Sequence, residues 1–226
     1  MNRMNIENRD VQILSMGVRL EGIVSIPEEA SGIVLFVHGS GSSRYSPRNQ
    51  YVAQTLQEGG LATLLFDLLT PQEEQTDLRT QHLRFDINLL ARRTAGVLEW
   101  LDLQPYAREL RIGLFGSSTG AAAALIAAAE LPEKVDAVVS RGGRPDLAGA
   151  ALPKVQAPTL LIVGAHDEVV MDLNEKALAQ MQPGAENKLV IVPGASHLFE
   201  EPGMLEYAAR LARDWFEEHL SRVSVG

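Results

Sequence analysis

The 226-residue sequence contains no cysteine, and this absence removes several kinds of chemistry at once. Without thiols the chain cannot form disulfides, use a thiolate nucleophile or build a cysteine-type zinc site. The five histidines show no spacing typical of metal ligands, so we expect no metal centre.

Positive charge and long apolar runs are also scarce. Lys and Arg number 20 against 29 Asp and Glu, a formal net charge of −9, which argues against a nucleic-acid partner. The longest apolar run, residues 121–129, is too short to cross a membrane. The first ten residues lack the apolar segment of a secretory signal. We therefore expect a cytoplasmic protein, monomeric or homodimeric, that binds neither nucleic acid nor membranes.

What the sequence does contain is an alternation of short apolar strands with helical segments. Residues 11–26 predict two antiparallel strands around a turn at Met16-Gly17. Further strands are predicted at 32–37, 61–66, 111–115, 135–139, 159–163 and 188–192. This pattern predicts an α/β protein with a mostly parallel sheet covered by helices on both faces. The length and the lack of repeats or linkers suit one domain over residues 1–226.

The sequence Gly116-Ser117-Ser118-Thr119-Gly120 connects a predicted strand to an alanine-rich helix. A G-x-S-x-G sequence in that setting is typical of a nucleophile elbow, a turn so sharp that its central serine is strained and exposed. Because such turns open at the C-terminal edge of a sheet, Ser118 is the candidate nucleophile. A glycine–serine turn also occurs without catalysis, so the prediction needs a base and an acid elsewhere in the chain.

Two later strands end in loops that supply these groups. Asp167 follows the strand at 159–163, and His197 follows the strand at 188–192. Serine needs a base to take its proton, and imidazole suits that role because its pKa is ~6.5. An aspartate would then orient the imidazole and offset its charge. We predict a Ser118–His197–Asp167 triad, with His166 and Glu168 as alternatives to their neighbours.

The loop after the first parallel strand, His38-Gly39-Ser40-Gly41-Ser42-Ser43-Arg44, is the candidate oxyanion loop. The backbone N–H groups of Ser40 and Thr119 are predicted to hold the tetrahedral oxygen. His38 is predicted to be a hydrogen-bonding partner of this loop and not a catalyst. Residues 68–83 are predicted to be a functional loop or to contain a short helix.

On these residues, with the GAHD turn at 164–167 and the GASH turn at 194–197, the chain resembles the α/β-hydrolase superfamily over nearly its whole length. The compact dienelactone-hydrolase-like branch is the most similar. The resemblance implies a three-layer sandwich with an eight-stranded sheet, a serine mechanism without a cofactor, and small-molecule ester substrates. Dienelactone hydrolases use a cysteine where this chain has Ser118, so a general esterase is the first reading, with lactone or thioester hydrolysis as alternatives.

Two features bear on the substrate. Only residues 141–157 separate the two strands between which cap domains of this superfamily usually occur, so no cap domain is expected and the site should suit small esters. Arg44 and Arg141 follow strands at the predicted edge, where their guanidinium groups could bind an anionic ester. Pairing with local acids such as Asp146 or Glu73 is the alternative.

Two other classes of function are weaker. A dinucleotide-binding oxidoreductase would use Gly39-x-Gly41 with Asp67, but Arg44 stands where the third glycine of that motif belongs. A non-catalytic binding protein on the same fold is the second alternative, because fold does not fix function. An intact triad counts against it.

Overall fold

A computed structural model describes residues 5–221. Residues 1–4 and 222–226 lie outside that range. The two ends of the domain predicted over 1–226, and part of the first ten residues for which no signal is predicted, therefore lie outside the described residues. Within the described range, no helix is both long and apolar enough to cross a membrane.

The described residues form an eight-stranded sheet. Its strands are β1 (Ile6–Ser15), β2 (Val18–Pro27), β3 (Gly32–Val37), β4 (Ala62–Phe66), β5 (Arg111–Ser117), β6 (Ala137–Arg141), β7 (Thr159–Gly164) and β8 (Asn187–Val192). Their order across the sheet is β1-β2-β4-β3-β5-β6-β7-β8. The β1–β2 and β2–β4 pairs are antiparallel, and the remaining pairs are parallel. The predicted mostly parallel sheet and its N-terminal hairpin are confirmed.

Helices cover both faces of the sheet. They are α1 (Pro47–Glu58), α2 (Pro71–Thr80), α3 (Ile87–Leu101), α4 (Thr119–Glu130), α5 (Glu168–Leu178) and α6 (Met204–Leu220). Strand alternation builds two apolar layers: in β3, Leu35 and Val37 face α3 and α4, whereas Val34 and Phe36 face α1 and α6. Each large side chain buried there contributes about 1.5–3 kcal/mol. The result is the predicted three-layer sandwich.

Small side chains let α4 pass through the centre of one layer. Its alanines from Ala121 to Ala124 are fully buried, and the helix packs against α3 and against a 3-10 segment, Pro145–Lys154. Larger residues would overpack these contacts at a cost of typically 1–3 kcal/mol each. The alanine run therefore fixes α4, and with it the turn at Ser118, against the sheet.

Of the two forms predicted for residues 68–83, a functional loop or a stretch with a short helix, the structure has the helix. Residues 68–83 contain α2, which begins with a capping box between Thr70 and Glu73. The chain enters α5 at Glu168, directly from the turn that follows β7. Asp172 lies inside α5 and pairs with Lys176 at 2.5 Å.

The C-terminal ends of the strands are left uncovered. Within the described residues, the connection between β6 and β7 holds only the short 3-10 segment and no cap domain. The loops that carry the predicted site residues follow β3, β5, β6, β7 and β8, so parallel pairing brings them to one edge.

Candidate active site

Ser118 occupies the sharp turn between β5 and α4. Its φ of 50° and ψ of −125° lie outside the regions that non-glycine residues favour, a strain that costs about 1–3 kcal/mol. The flanking glycines provide the space. A Cβ on Gly116 would collide with the backbone of Ala121, and one on Gly120 would collide with the carbonyl oxygen of Val37. The structure therefore has the strained turn predicted from the G-x-S-x-G sequence.

His197 and Asp167 come from the ends of the neighbouring strands β8 and β7. The Nδ1 atom of His197 lies 2.5 Å from Oδ2 of Asp167, so this ring nitrogen donates to the carboxylate and Nε2 is the nitrogen left for another partner. Gly164 permits the approach, since a Cβ there would meet the carbonyl oxygen of Ala195. His166 is exposed and does not line the cleft that contains Ser118, whereas His197 does, so His197 is the better candidate for the base.

A cleft of about 210 Å³ opens over the elbow. Ser118 and His197 both line it, and Asp167 lies behind His197. Its other lining residues are Gly39, Ser40, Ser42, Ser46, Arg48, Ser117, Arg141, Gly142 and Leu198. No hydrogen bond joins the Ser118 hydroxyl to His197 among residues 5–221; such bonds often tighten only when substrate binds.

The predicted oxyanion loop is tied to the elbow by hydroxyl groups. The Ser40 backbone N–H donates to Oγ1 of Thr119 at 3.0 Å, and the Ser40 hydroxyl donates to the carbonyl of Arg84 at 2.9 Å. Thr119 therefore donates its own hydroxyl proton to Ser40 Oγ at 2.8 Å. The predicted Ser40 donor is thus engaged by a hydroxyl. The Thr119 N–H, at the first position of α4, has no acceptor within its own helix.

His38 anchors the start of the same loop. Its Nε2 accepts the backbone N–H of Leu68 at 3.0 Å, and its Nδ1 lies 2.9 Å from the carbonyl oxygen of Gly39. Burial lowers the pKa of His38, so the ring stays neutral and its Nδ1–H donates to Gly39. This arrangement agrees with the structural role predicted for His38.

Arg44 is not at the cleft. Its guanidinium forms ion pairs with Asp67 and with Glu21, the latter at 2.6 Å, and it lines a neighbouring cavity. Asp67 also accepts the Arg44 backbone N–H at 2.7 Å, so two contacts turn this residue away from Ser118. The prediction that Arg44 overhangs the pocket is therefore wrong, because its ion pairs with Asp67 and Glu21 hold it elsewhere.

Arg141 does line the cleft. It ends β6 beside Ser117 of β5, and it continues the row of Ala137 and Val139 that faces α1 and α6. Only 7% of the residue is exposed, and its NH2 group lies 3.5 Å from the Asn49 side-chain oxygen. Neither Asp146 nor Glu73 pairs with it: Asp146 pairs with Arg144 and Glu73 with Arg93.

Arg48 is a cleft residue that the sequence reasoning missed. It lies in the first turn of α1, whose N-cap Ser46 also lines the cleft. The signal was present in Ser46-Pro47, an N-cap followed by proline at the first helical position, directly after the oxyanion loop. A helix beginning there brings its first turn to the same sheet edge.

The sheet, the elbow and the paired histidine and aspartate define an α/β hydrolase. The model of the "Dienelactone hydrolase family" matches residues 20–223, so the chain belongs to the dienelactone hydrolase family, and the predicted resemblance is confirmed.

Individual relatives agree with that assignment. A crystal structure of a dienelactone hydrolase from Anabaena variabilis is 58% identical, with a TM-score of 0.93 over 96% of this chain and 99% of the other. Est1E from Butyrivibrio proteoclasticus is 17% identical and shares the fold, with a TM-score of 0.76 over 93% of this chain and 98% of the other.

A Mycobacterium tuberculosis protein that carries the name phosphoribosyl transferase is 55% identical over 215 residues. That match covers 95% of this chain and 47% of the relative, so the chain spans about half the length of the curated relatives it matches.

Proposed function

We propose that the protein is a serine hydrolase of small carboxylic esters, with Ser118 as nucleophile, His197 as base and Asp167 as the group that orients His197. One observation carries this proposal. Ser118, at a strained elbow, lines the same cleft as His197, and Nδ1 of His197 contacts Asp167. That arrangement is the activated-nucleophile pattern of acyl transfer.

In the proposed reaction, Ser118 Oγ attacks the ester carbonyl carbon while its proton passes to His197 Nε2. The C–O bond to the alcohol then breaks, and His197 returns the proton to the leaving oxygen. Water repeats the sequence on the acyl-enzyme, releasing the acid and restoring Ser118. Asp167 offsets the charge of the imidazolium in both halves without accepting a proton.

The developing oxyanion is proposed to lie between the N–H groups of Ser40 and Thr119. The Thr119 hydroxyl accepts the Ser40 N–H at 3.0 Å and so holds the Ser40 loop beside the elbow; this N–H has to leave the hydroxyl, or share its proton, when the oxyanion forms. The positive end of α4 adds to this field, because Thr119 is its first residue. Preorganised donors of this kind are usually the largest contribution to acyl-transfer catalysis.

A lactone is a second candidate substrate. A lactone is a cyclic ester and reacts by the same steps, and the 58% identical relative is named a dienelactone hydrolase. The small, uncapped cleft suits either compound better than a long lipid. The transferase name in Mycobacterium belongs to a protein about twice as long, whereas the elbow geometry of this chain supports hydrolysis.

Kinetics of aryl esters of increasing acyl length, compared with lactones, test the assignment. Ser118→Ala should reduce kcat by about 10⁶-fold, and Asp167→Asn by about 10⁴-fold, because the aspartate only orients the base. His166→Gln is the matched control for His197→Gln and should keep kcat within a few fold. A Ser118→Ala enzyme that retains a tenth of its activity would reject the proposal.

A further inference from the structure

The buried arginines of this protein differ in one respect. Arg93, 4% exposed, makes two hydrogen bonds to Glu73 at 2.7 and 3.0 Å. Arg84, which is only partly buried, is paired with the fully buried Asp77 at 2.5 Å. Arg141 is 7% exposed, yet within residues 5–221 it forms no ion pair, and both its Nε and its NH1 atoms lack a hydrogen-bond partner, whereas Arg93 lacks one only at Nε. Buried cations in native proteins are usually paired, because an unpaired buried charge destabilises the folded state. The unpaired Arg141 therefore points to an anionic partner from outside the chain.

The surroundings of Arg141 do not replace a carboxylate. Its guanidinium carbon lies 5.9 and 6.0 Å from the ring centres of Phe115 and Phe199, which is weak compensation. Burial, with a smaller contribution from the positive charge of Arg48, lowers the pKa of Arg141 to about 10. The group therefore still carries its charge at neutral pH.

The same wall of the cleft carries further positive groups. Arg48 lies in the first turn of α1, and the Ser46 N-cap places the positive end of this 12-residue helix beside it. The nearest carboxylate of Arg48 is Glu200, at 3.6 Å and 64% exposed, so water screens that pair. Ser46 accepts the Asn49 N–H at 3.3 Å and keeps a hydroxyl proton to donate.

We propose that Arg141, Arg48 and the N-terminus of α1 form a subsite for a phosphate group carried by the substrate of Ser118. The proposal rests on the proposed hydrolase function, and it deepens that function by naming a phosphorylated ester as the substrate class. The donors come from three separate elements, the end of β6, the start of α1 and the loop before it. A phosphate group has three peripheral oxygens and a charge near −2, so it matches such dispersed donors better than a planar, singly charged carboxylate does.

The binding part is tested by thermal unfolding in inorganic phosphate, with acetate and chloride at equal ionic strength. Phosphate should raise Tm in a saturable manner and beyond both other salts. Arg141→Met should weaken the apparent phosphate affinity about tenfold or more, the effect of one lost charge-assisted contact. Arg44→Met, which alters an arginine of the neighbouring cavity, is the control and should retain the phosphate response. Equal effects of acetate and phosphate, or an unchanged response in Arg141→Met, would overturn the subsite.

The substrate part is tested with two esters that share an acyl group, one with a neutral alcohol and one with a phosphorylated alcohol. The phosphorylated ester should have a kcat/KM at least about tenfold higher in the wild type, and Arg141→Met should remove that preference. Phosphate binding without such a preference would mean an adventitious ion only and would overturn the claim about the substrate. The subsite and the hydrolase function can fail separately, because phosphate binding does not need catalysis. The rise of Tm in phosphate should therefore persist in Ser118→Ala, and it should be seen even if the protein hydrolyses no ester.

Discussion

The two flanks of Ser118 are built on opposite principles. On the flank formed by α2, α3 and the oxyanion loop, each buried or partly buried polar side chain discussed above has a partner: Arg93 has Glu73, Arg84 has Asp77, and His38 has the Leu68 N–H. On the flank formed by α1 and the end of β6, Arg141 is buried and forms no ion pair with any residue between 5 and 221.

This difference suits two tasks: one flank positions the oxyanion loop, and the other is available to bind a ligand. Paired charges hold the loops of the first flank in one arrangement, which suits a flank that must keep the Ser40 N–H beside Thr119. An unsaturated buried charge weakens the folded state, and it is useful only if a ligand completes it. The comparison therefore agrees with a loop-positioning role for the first flank and with the substrate recognition that we propose for the second.

The largest predicted effect contrasts one arginine from each flank. Arg93→Met removes two hydrogen bonds to Glu73, which keeps only the Thr70 N–H, and one to the Leu68 carbonyl, so the free energy of unfolding should fall by about 3–5 kcal/mol. Arg141→Met removes an unpaired charge and keeps an apolar side chain of similar length, so stability should be unchanged or higher. Urea unfolding at pH 7 measures both. Equal losses in the two variants would mean that the flanks do not differ.

A smaller effect is expected where the saturated flank meets the elbow. Thr119→Val removes the hydroxyl that accepts the Ser40 N–H and anchors the Ser40 loop at the elbow, and it keeps the shape of the side chain. We expect kcat to fall about 10²-fold with little change in KM, the lower end of what losing an oxyanion donor costs. Thr119→Ser retains the hydroxyl and is the matched control. If Val and Ser behave alike, the hydroxyl does not position the donor.

Sequence patterns predicted the parts of this site that local backbone geometry determines. The elbow follows from glycines at 116 and 120, because only residues without a Cβ fit there. The pairing of Asp167 with His197 follows from two strand ends that become neighbours in a parallel sheet.

The positions of the arginines could not be predicted in the same way. Arg44 and Arg141 both follow strands at the same edge, but Arg44 is held by Asp67, which is 23 residues away in the chain. Arg141 faces the cleft because it stands at the end of β6 on the side of α1. Which carboxylate reaches which guanidinium depends on tertiary packing, and no local pattern encodes it.

The smallest predicted effect is a pH dependence from His38. Its ordinary pKa is 6.5, and burial lowers it in the folded protein. Below pH 6.5 the unfolded chain therefore binds more protons than the folded one, so stability falls with falling pH until the folded pKa is passed. His38→Gln should flatten this loss between pH 7 and 5 in urea unfolding. Parallel curves for the two proteins would show that His38 is not held neutral.

The central claim is that Ser118 is the nucleophile on which both flanks converge. A fluorophosphonate tests it directly, since an attacking serine displaces fluoride and gains a covalent phosphonyl group. Intact mass should show one adduct per chain, and peptide mapping should place it on Ser118, with labelling lost in Ser118→Ala and retained in Ser117→Ala. An unlabelled wild-type chain, or an adduct on any other residue, would contradict the account.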